Sequence, residues 1–351
     1  MTAARRTNVE VTWQHKDISR YIEPYLLACT YVDNLTSAAD DLTLELEDRE
    51  GLWEGDWRPT FGDSVVARVT ASEPGWFSGL KTLQLGTFAH DKIALKGPPR
   101  IVSLQCVSAP LATGLRRRKK TRAWRGRTLQ GIAQDIADDA KLKLDWSGPA
   151  GNAYAARVQS DKSDLEFLDE LCKEVGRCCK VTELSIVIFD ELSRDSTASS
   201  GPIDLRGSDH AGGGHVLSWT FDGDDSDRYG SCHITFMDPR TGKLSKGEFV
   251  DPANPNGQTL ELRLPLEAVR KGKVGAEDAR KKAMAMLRNA NRFATRGQLV
   301  VVGDPGLVAG VTFDLAGGFG IDGKFIVAKA AHHPVGGYTC ALDVRRCIEG
   351  Y

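Results

Sequence analysis

Residues 42–47, Leu-Thr-Leu-Glu-Leu-Glu, decide the fold class of the first part of the chain. The leucines alternate with polar residues. Because successive side chains of a strand point to opposite faces, this segment predicts a half-buried strand. Comparable strand-like runs, separated by turns rich in Gly and Pro, lie at residues 9–13, 25–33, 64–72, 80–88 and 100–107. Short strands at this spacing predict a small barrel or sandwich.

Helical periodicity replaces this alternation in the middle of the chain. Apolar residues recur on one helical face at residues 129–140, with Thr128 as the expected N-cap. A second helix is predicted to begin at Ser163, because Ser163 and Glu166 have the spacing of a capping box. Gly176 is expected to end that helix. These patterns predict an α+β module.

A buried strand at residues 184–189 completes the module, and the Ser- and Gly-rich residues 193–214 are predicted to be its exit linker. Strand-like runs then return, interrupted by one helix rich in Ala, Lys and Met at residues 275–291. The predicted strands cover residues 216–221, 232–237, 260–264, 298–302, 311–315, 324–331 and 338–345. The first and last parts are of similar size, which suggests a diverged duplication.

The predicted fold class is mainly β with an α+β insert. We expect three domains: a small β-barrel at residues 1–115, an α+β module with a basic entry segment at residues 116–200, and a second small β-barrel with one helix at residues 201–351. This order of β, α+β and β follows from hydrophobic periodicity and turn residues alone.

The composition is that of a folded globular protein. Of the 351 residues, 41% are apolar and 26% are charged, both ordinary values. The sequence contains no apolar run of about 18 residues, so no membrane span is predicted. The N-terminal sequence has no secretory signal. The eight cysteines are scattered over a long chain without such a signal, so we expect reduced, mostly buried thiols.

Positive charge is concentrated in RRRKKTRAWRGR at residues 116–127, here named the basic segment. The chain has 46 Lys and Arg against 47 Asp and Glu, whereas outside this segment 38 basic residues face 47 acidic ones. Its eight basic residues are Arg116, Arg117, Arg118, Lys119, Lys120, Arg122, Arg125 and Arg127. Three interpretations stay open: a solvated linker, a contact with the acidic surface of a neighbouring subunit, or a nucleic-acid site that also uses Trp124.

Two motifs resemble ligand loops but lack the context that such loops need. Residues 318–323 match G-x-G-x-x-G, yet a strand is predicted to follow, so the helix N-terminus that would meet a pyrophosphate is missing. Residues 222–227 are rich in Asp, but Asp227 and His233 stand where an EF-hand needs Gly and Glu. We expect a hairpin turn and an acidic turn, and no cofactor.

The sequence also lacks the spacings of metal and catalytic sites. The residues considered as metal ligands are His210, His215, His332, His333, Cys172, Cys178 and Cys179, and neither Cys-x-x-Cys nor His-x-x-x-His occurs. His332 and His333 are adjacent, so on a strand they would point to opposite faces. There is no G-x-S-x-G, no diagnostic Cys–His pair and no diagnostic carboxylate pair. We predict no metal, no catalytic residue and no enzymatic activity.

Five segments, in this order, resemble the phage late control D proteins, which are the baseplate hubs of contractile phage tails. They are VTWQHKDISRYIEPYLLACTYVDNLTSAADDLTLELEDREGLW with FGDSVVARV, RTLQGIAQDIADDAKLKL, VQSDKSDLEFLDELCKEVGRCCKV, AEDARKKAMAMLRNANR, and GDPGLVAGVTFDLAGGFGIDGKFIVAKAAHHPVGGYTCALDV. The five segments follow one another in the family's order over nearly the whole chain.

The resemblance implies a structural role. Hubs similar to this chain form a trimer in which each copy contributes two tube-like β-barrels, giving a pseudo-sixfold ring between a sixfold tail tube and a threefold spike. The implied partners are further copies of the chain, the tail tube protein, a separate trimeric spike protein, and the baseplate wedge and tape-measure proteins. Neither a membrane nor a specific nucleic acid is implied. Related hubs occur in tailocins and other contractile injection systems, including type VI secretion spikes.

The resemblance further implies assembly in the bacterial cytoplasm and a final place in the baseplate of a virion or tailocin. The chain ends soon after the last predicted barrel, so the spike is expected to be a separate protein. Edge strands that become paired in a ring would lie at residues 9–13 and 61–95. The alternative function is a tail-associated peptidoglycan hydrolase.

Overall fold

The computed structural model describes residues 6–36, 38–72, 79–108, 114–151, 153–154, 156–206, 215–223, 228–237, 244–263, 276–318 and 320–351. Its first part contains the strands β1 to β7 at Thr7–Trp13, Lys16–Asp17, Leu26–Asn34, Asp41–Glu47, Ser64–Ala71, Thr82–Lys96 and Ile101–Val107, and the short helix α1 at Ser19–Ile22. The six predicted strands of this part are confirmed. Strand β6 differs in length, because it continues to Lys96 instead of ending at residue 88.

The middle module, residues 114–206, contains both predicted helices and several strands that the sequence did not predict. In chain order its elements are β8 Lys120–Arg125, α2 Leu129–Ala140, β9 Lys143–Trp146, β10 Ala156–Lys162, α3 Asp164–Glu174, β11 Arg177–Val181, β12 Ser185–Asp190, α4 Glu191–Asp195 and β13 Pro202–Asp204. The prediction of a linker at residues 193–214 is wrong where α4 ends and β13 forms. Asp190 caps α4, and β13 pairs in parallel with a later strand. Residues 207–214 lie outside the described residues.

The predicted ends of the two long helices of the middle module are confirmed. Thr128 accepts a hydrogen bond from the Gly131 backbone N–H at 3.0 Å, and Ser163 with Glu166 forms the complete capping box. Helical spacing predicts an apolar face on α3 made by Leu165, Leu168, Leu171, Cys172 and Val175, and this prediction is only partly right. Val175 lies beyond its last turn and is exposed, whereas Phe167, which was not assigned to that face, is buried.

The last part returns to strands, as predicted. Its elements are β14 Val216–Gly223, β15 Tyr229–Met237, β16 Leu244–Val250, β17 Gln258–Arg263, α5 Ala276–Asn291, β18 Thr295–Val302, β19 Thr312–Ala316, β20 Gly323–His333 and β21 Thr339–Arg346. Strand β16 was not predicted, because its alternating residues include few large apolar side chains. The sequence Pro-Arg-Thr-Gly at residues 239–242 predicts a turn after β15, and these residues lie outside the described ones.

Strands of the first and last parts belong to one 13-stranded sheet. Its order is β14-β18-β21-β20-β3-β4-β7-β6-β5-β1-β2, with β19 beside β20 and β13 beside β19. Three smaller sheets have the orders β10-β8, β11-β12-β9 and β16-β15-β17. The mainly β class with an α+β insert is confirmed. Within the part of the chain that the structure describes, the two halves are joined edge to edge, and no further pairing closes either half into a barrel.

The large sheet contains the same five-strand unit twice. The first repeat has the order β3-β4-β7-β6-β5, and the second repeat has the order β14-β18-β21-β20-β19. In each repeat the strands follow the same chain order. In each, one long strand pairs by its first half with the third strand in chain order, β5 or β19, and by its second half with the last strand, β7 or β21. The duplication suggested by the similar size of the two parts is thus visible in the topology.

The two repeats also agree in register. β3 and β14 both have a bulge after the first paired residue, at Leu27 and Leu217, and the long strands have a bulge at Asp91 in β6 and Ala328 in β20. Gly62 and Gly310 occupy the same turn with φ of 85° and 89°. The pairings make these positions equivalent: Cys29 and Trp219, Tyr31 and Phe221, Leu44 and Leu299, Ala94 and Ala331, Leu95 and His332, Leu104 and Leu342, Val107 and Arg345.

Both repeats contribute to one hydrophobic core. Leu44 and Phe88 of the first repeat lie in the same buried cluster as Phe325 and Leu342 of the second. The middle module has a separate core, which includes Ile132 and also takes in residues of the first part. The large sheet is thus the frame of the molecule, and the middle module packs against it.

Candidate subunit-contact surfaces

The two repeats meet at the antiparallel pair β3–β20, here named the inner joint. Its register pairs Asn34 with Lys329, Asp33 with Ala330, Val32 with Ala331 and Tyr31 with His332. The ring of His332 stacks on Tyr31 with centroids 5.8 Å apart, and its Nδ1 lies 2.8 Å from the hydroxyl of Tyr338. Burial lowers the pKa of His332 to about 4. This joint therefore contains a neutral imidazole as a packing residue.

Two of the strand edges that are unpaired in the described residues carry exposed apolar side chains. Strand β14 pairs only with β18, and its Leu217 and Trp219 are exposed. The second half of β6 pairs only with β7, and its Leu95 is 52% exposed. An unpaired edge presents free N–H and C=O groups to any strand that approaches. These two edges are candidate contact surfaces.

The edge strands predicted from the sequence as contacts differ in part from these two edges. Strand β1, predicted as a contact at residues 9–13, is covered at one end by β2, while β5 lies along its other side. Within residues 61–95, β5 is an interior strand between β1 and β6, whereas each half of β6 pairs on one side only among the described residues, the first half with β5 and the second half with β7. The length of β6 was missed because its second half has no clear alternation.

The basic segment is folded and largely neutralised within the chain. Five of its eight basic side chains form ion pairs: Arg117 with Asp91 at 3.5 Å, Lys119 with Asp161 at 3.4 Å, Lys120 with Asp164 at 2.5 Å, Arg122 with Asp139 and Asp164, both at 2.7 Å, and Arg127 with Asp135 at 3.3 Å. Its last part forms β8, paired with β10. The guanidinium of Arg122 also lies 4.3 Å from the Trp124 ring centroid. Trp124 is buried, so it packs within the module.

Three basic side chains of this segment have no carboxylate within ion-pair distance among the described residues. They are Arg116, Arg118 and Arg125, and all three are exposed. The structure thus divides the predicted site residues into five that stabilise the middle module and three that are available at the surface.

Two buried charge clusters attach the middle module to the large sheet, and no local pattern in the sequence predicts either. In the first, Lys180 of β11 lies 2.7 Å from Asp33 and 3.0 Å from Asp40. The other oxygen of Asp33 accepts a hydrogen bond from the Ala309 backbone N–H at 2.9 Å. Burial alone would lower the pKa of Lys180, but the two carboxylates hold it above its ordinary value. Burial raises the pKa of Asp40 to about 6, although Lys180 opposes the rise.

The second cluster is larger and lies at the end of the second repeat. The two carboxylates of α4, Glu191 and Asp195, accept hydrogen bonds from three buried guanidinium groups. Arg345 of β21 lies 2.9 Å from Glu191 and 2.8 Å from Asp195, Arg292 lies 2.8 Å from Glu191, and Arg288 contacts both carboxylates. These partners are distant in the sequence, so only a three-dimensional structure brings them together.

The apparent nucleotide motif is a turn, as predicted. The strand β20 begins at Gly323, the last residue of the motif, and the Gly318 backbone N–H donates to Asp322 at 2.8 Å. Phe319, Asp224–Asp227 and His210 lie outside the described residues. His332 is buried and His333, on the other face of β20, lies 3.2 Å from Thr30. The prediction that these histidines point apart is confirmed.

All eight cysteines are free and buried, as predicted. Burial raises the pKa of Cys29, Cys106, Cys178 and Cys347 to about 12, so these thiols are poor nucleophiles. Within the described ranges no group of three His, Cys, Asp or Glu side chains is arranged to hold a metal ion. None of the helices described is long and apolar enough to span a bilayer.

Comparison with known proteins places the chain among tail components. The family described as phage tail baseplate hub (GPD) matches residues 105–336. The probable baseplate hub protein of Escherichia phage P2 is 27% identical over 189 residues, which cover 54% of this chain and 46% of that protein. The chain therefore matches about half the length of this relative. The family and the relative are named for a place in the tail and not for a reaction, in agreement with the prediction of no enzymatic activity.

Solved structures show the same fold at low sequence identity. The 43 kDa tail protein of prophage MuSo2 from Shewanella oneidensis superposes with a TM-score of 0.68 at 13% identity, covering 96% of this chain and 98% of that chain. An Escherichia coli type VI secretion component with structural similarity to the T4 tail proteins gp27 and gp5 gives a TM-score of 0.53 at 10% identity, covering 100% of this chain and 77% of that chain. The family match extends over more than half of the sequence, and the chain belongs to the phage tail baseplate hub family.

Proposed function

We propose that this chain is a homotrimeric hub that adapts the sixfold tail tube of a contractile tail or tailocin to a threefold central spike. The observation that carries this proposal is the duplication. Two repeats with the same strand order, the same bulges and the same register occur in one chain, so three chains offer six equivalent positions. Membership of the hub family supports the place in the baseplate, and the resemblance in sequence supplies the number of copies.

The partners of this trimer are the tail tube protein on one side and a separate trimeric spike protein on the other. Wedge and tape-measure proteins complete the neighbourhood, and assembly takes place in the bacterial cytoplasm before the particle is finished. Symmetry adaptation of this kind needs matching surfaces and no chemical step. The absence of a signature for peptidoglycan hydrolysis in the sequence agrees with this role.

The basic segment contributes to contacts between subunits through Arg116, Arg118 and Arg125. These three side chains are exposed and unpaired in the described residues, while the chain outside the segment carries an excess of acidic residues. Opposite charges on neighbouring copies favour and orient association. The remaining five basic residues serve the internal structure of the middle module.

Native mass spectrometry of the purified full chain tests the trimer. The expected species has three times the chain mass of 38.2 kDa. Electron microscopy of the particle should then show three copies between tube and spike. A monomer at micromolar concentration, or six copies of the chain in the particle, would contradict the proposal. Replacing Arg116, Arg118 and Arg125 together by Glu should weaken the trimer, and an unchanged trimer would exclude this segment from the contact.

A further inference from the structure

We infer that the second half of β6 in one copy pairs with β14 of the next copy, in the register of the inner joint. This inference rests on the proposed trimer and names the surface that forms it. In the inner joint, the second half of the long strand β20 pairs with the first strand of the other repeat, β3. By the equivalence of the repeats, β6 corresponds to β20 and β14 corresponds to β3. The second copy of the inner joint is therefore open in a single chain.

The register of the open joint follows from the equivalent positions. Ala330 pairs with Asp33, Ala331 with Val32 and His332 with Tyr31 in the inner joint. The corresponding pairs between copies are Ile93 with Gly223, Ala94 with Asp222 and Leu95 with Phe221. Each copy then gives one edge and receives one edge, which is a heterologous contact that closes into a ring.

Exposure of the side chains supports this assignment. In the filled inner joint Cys29 is 1% exposed and His332 is not exposed at all, whereas at the equivalent open positions Trp219 is 39% exposed and Leu95 is 52% exposed. The stack of His332 on Tyr31 has its counterpart in a contact between Leu95 and Phe221 of the next copy. Burial of two such apolar side chains favours association.

The charges along the two edges also support the pairing of β6 with β14. Lys92, Ala94 and Lys96 alternate with the core-facing residues of β6 and share its outer face. Asp222 of the next copy would lie opposite Ala94, so the two lysines would be its diagonal neighbours, within reach of long side chains. Both lysines are exposed, and Lys96 also lies 3.6 Å from Glu45 of its own copy. The edges are thus complementary in shape and in charge.

Hydrogen bonding in the inner joint identifies the best position for a test. The Leu35 backbone N–H donates to the Ala328 carbonyl at 3.0 Å. The directly hydrogen-bonded pairs of an antiparallel ladder alternate with pairs whose Cα atoms are only about 4.5 Å apart, and Val32 with Ala331 belongs to the second kind. Ala94 and Asp222 occupy the equivalent places. A distance of about 4.5 Å is within the range that a disulfide bridges.

The experiment is oxidative cross-linking of the full chain carrying Ala94→Cys and Asp222→Cys. Two thiolates then lose two electrons to the added oxidant, copper phenanthroline, and one S–S bond forms between copies. Most of the chain should shift to covalent dimer and trimer on a non-reducing gel. The control carries Leu95→Cys and Asp222→Cys, whose side chains would point to opposite faces of the sheet, and it should stay uncrosslinked. The parent chain should do the same, because its own cysteines are buried.

Native mass measurements separate the two possible failures. If the parent chain is a trimer and the Ala94→Cys, Asp222→Cys variant does not cross-link, the strand pairing is wrong while the trimer stands. Equal cross-linking in the control would also overturn the register. If the parent chain is a monomer under the same conditions, both the trimer and the pairing are wrong.

Discussion

The two repeats have the same strand order but different surroundings. The first strand of the first repeat, β3, is covered by β20, and its Cys29 is buried. The first strand of the second repeat, β14, has no such neighbour in the described residues, and its Trp219 is exposed. The same backbone position is thus interior in one repeat and surface in the other. In the proposed ring, this exposed apolar side chain marks the place where the next copy pairs.

The repeats differ as well in how they meet the middle module. Val107 at the end of the first repeat belongs to the apolar core of that module. The equivalent Arg345 at the end of the second repeat belongs to the buried charge cluster with Glu191 and Asp195. At this pair of equivalent positions, the contact with the module is apolar packing in the first repeat and a charge cluster in the second, and substitutions can separate their contributions.

The largest effect is expected for Asp195→Ala. It removes one of two carboxylates that face three buried guanidinium groups, and breaking a buried ion pair costs about 3–5 kcal/mol of unfolding free energy. Val107→Ala, the matched change in the first repeat, removes two methyl groups and should cost about 2 kcal/mol. Urea denaturation of both variants measures the difference. If Asp195→Ala costs no more than Val107→Ala, the charge cluster does not hold the second repeat to the module.

An effect of intermediate size is expected from the pH dependence of the inner joint. His332 has its pKa lowered to about 4 by burial, from an ordinary 6.5. Between these values the unfolded chain binds a proton that the folded chain does not, so stability falls as the pH decreases from 6.5 to 4. The loss is roughly 3 kcal/mol at 1.36 kcal/mol per pKa unit.

His332→Gln isolates this contribution, because Asp40, with a raised pKa, acts in the opposite direction over part of the same range. The parent chain should lose roughly 3 kcal/mol more than the variant between pH 7 and pH 4. Denaturation curves at several pH values give the difference. Parallel curves for the two proteins would show that His332 titrates normally.

The smallest effect on folding, but a clear one on association, is expected for Leu95→Asp. Leu95 is more than half exposed in one copy, so the free energy of unfolding should change by at most about 0.5 kcal/mol. In the proposed ring it faces Phe221 of the next copy, and a charge there should raise the dissociation constant at least about tenfold, or 1.4 kcal/mol. Analytical sedimentation measures the dissociation constant of this variant and of its control. The control Leu244→Asp changes an even more exposed leucine outside the large sheet and should leave association unchanged.

Local patterns allowed much of the fold to be predicted. The alternation of apolar and polar residues around Leu44 predicted β4. The spacing of Ser163 and Glu166 predicted the start of α3, and the structure contains that capping box. These signals depend only on residues close in sequence. The domain limits 1–115, 116–200 and 201–351 remain a prediction, since the shared sheet connects the first and last parts.

Features that depend on distant residues could not be predicted. Strand β8 was not predicted, because a run of arginines and lysines is typical of a solvated linker. The partners of these side chains, Asp139 and Asp164, lie in other elements. The contact surface also depends on a comparison of registers. Ala94 and Ala331 are both alanines at equivalent positions of the two repeats. The bulges and the unequal loops between the strands prevent this equivalence from being recognised in the sequence alone.

The inner joint has a consequence for how such a ring would form. Because β3 and β20 belong to one polypeptide, they meet at the high effective concentration of an intramolecular reaction, whatever the amount of protein in the cell. Half of the strand junctions of the proposed ring would exist before any two molecules collide. Only three junctions between copies would remain, so at equilibrium the concentration of the closed ring would vary with the third power of the free chain concentration instead of the sixth.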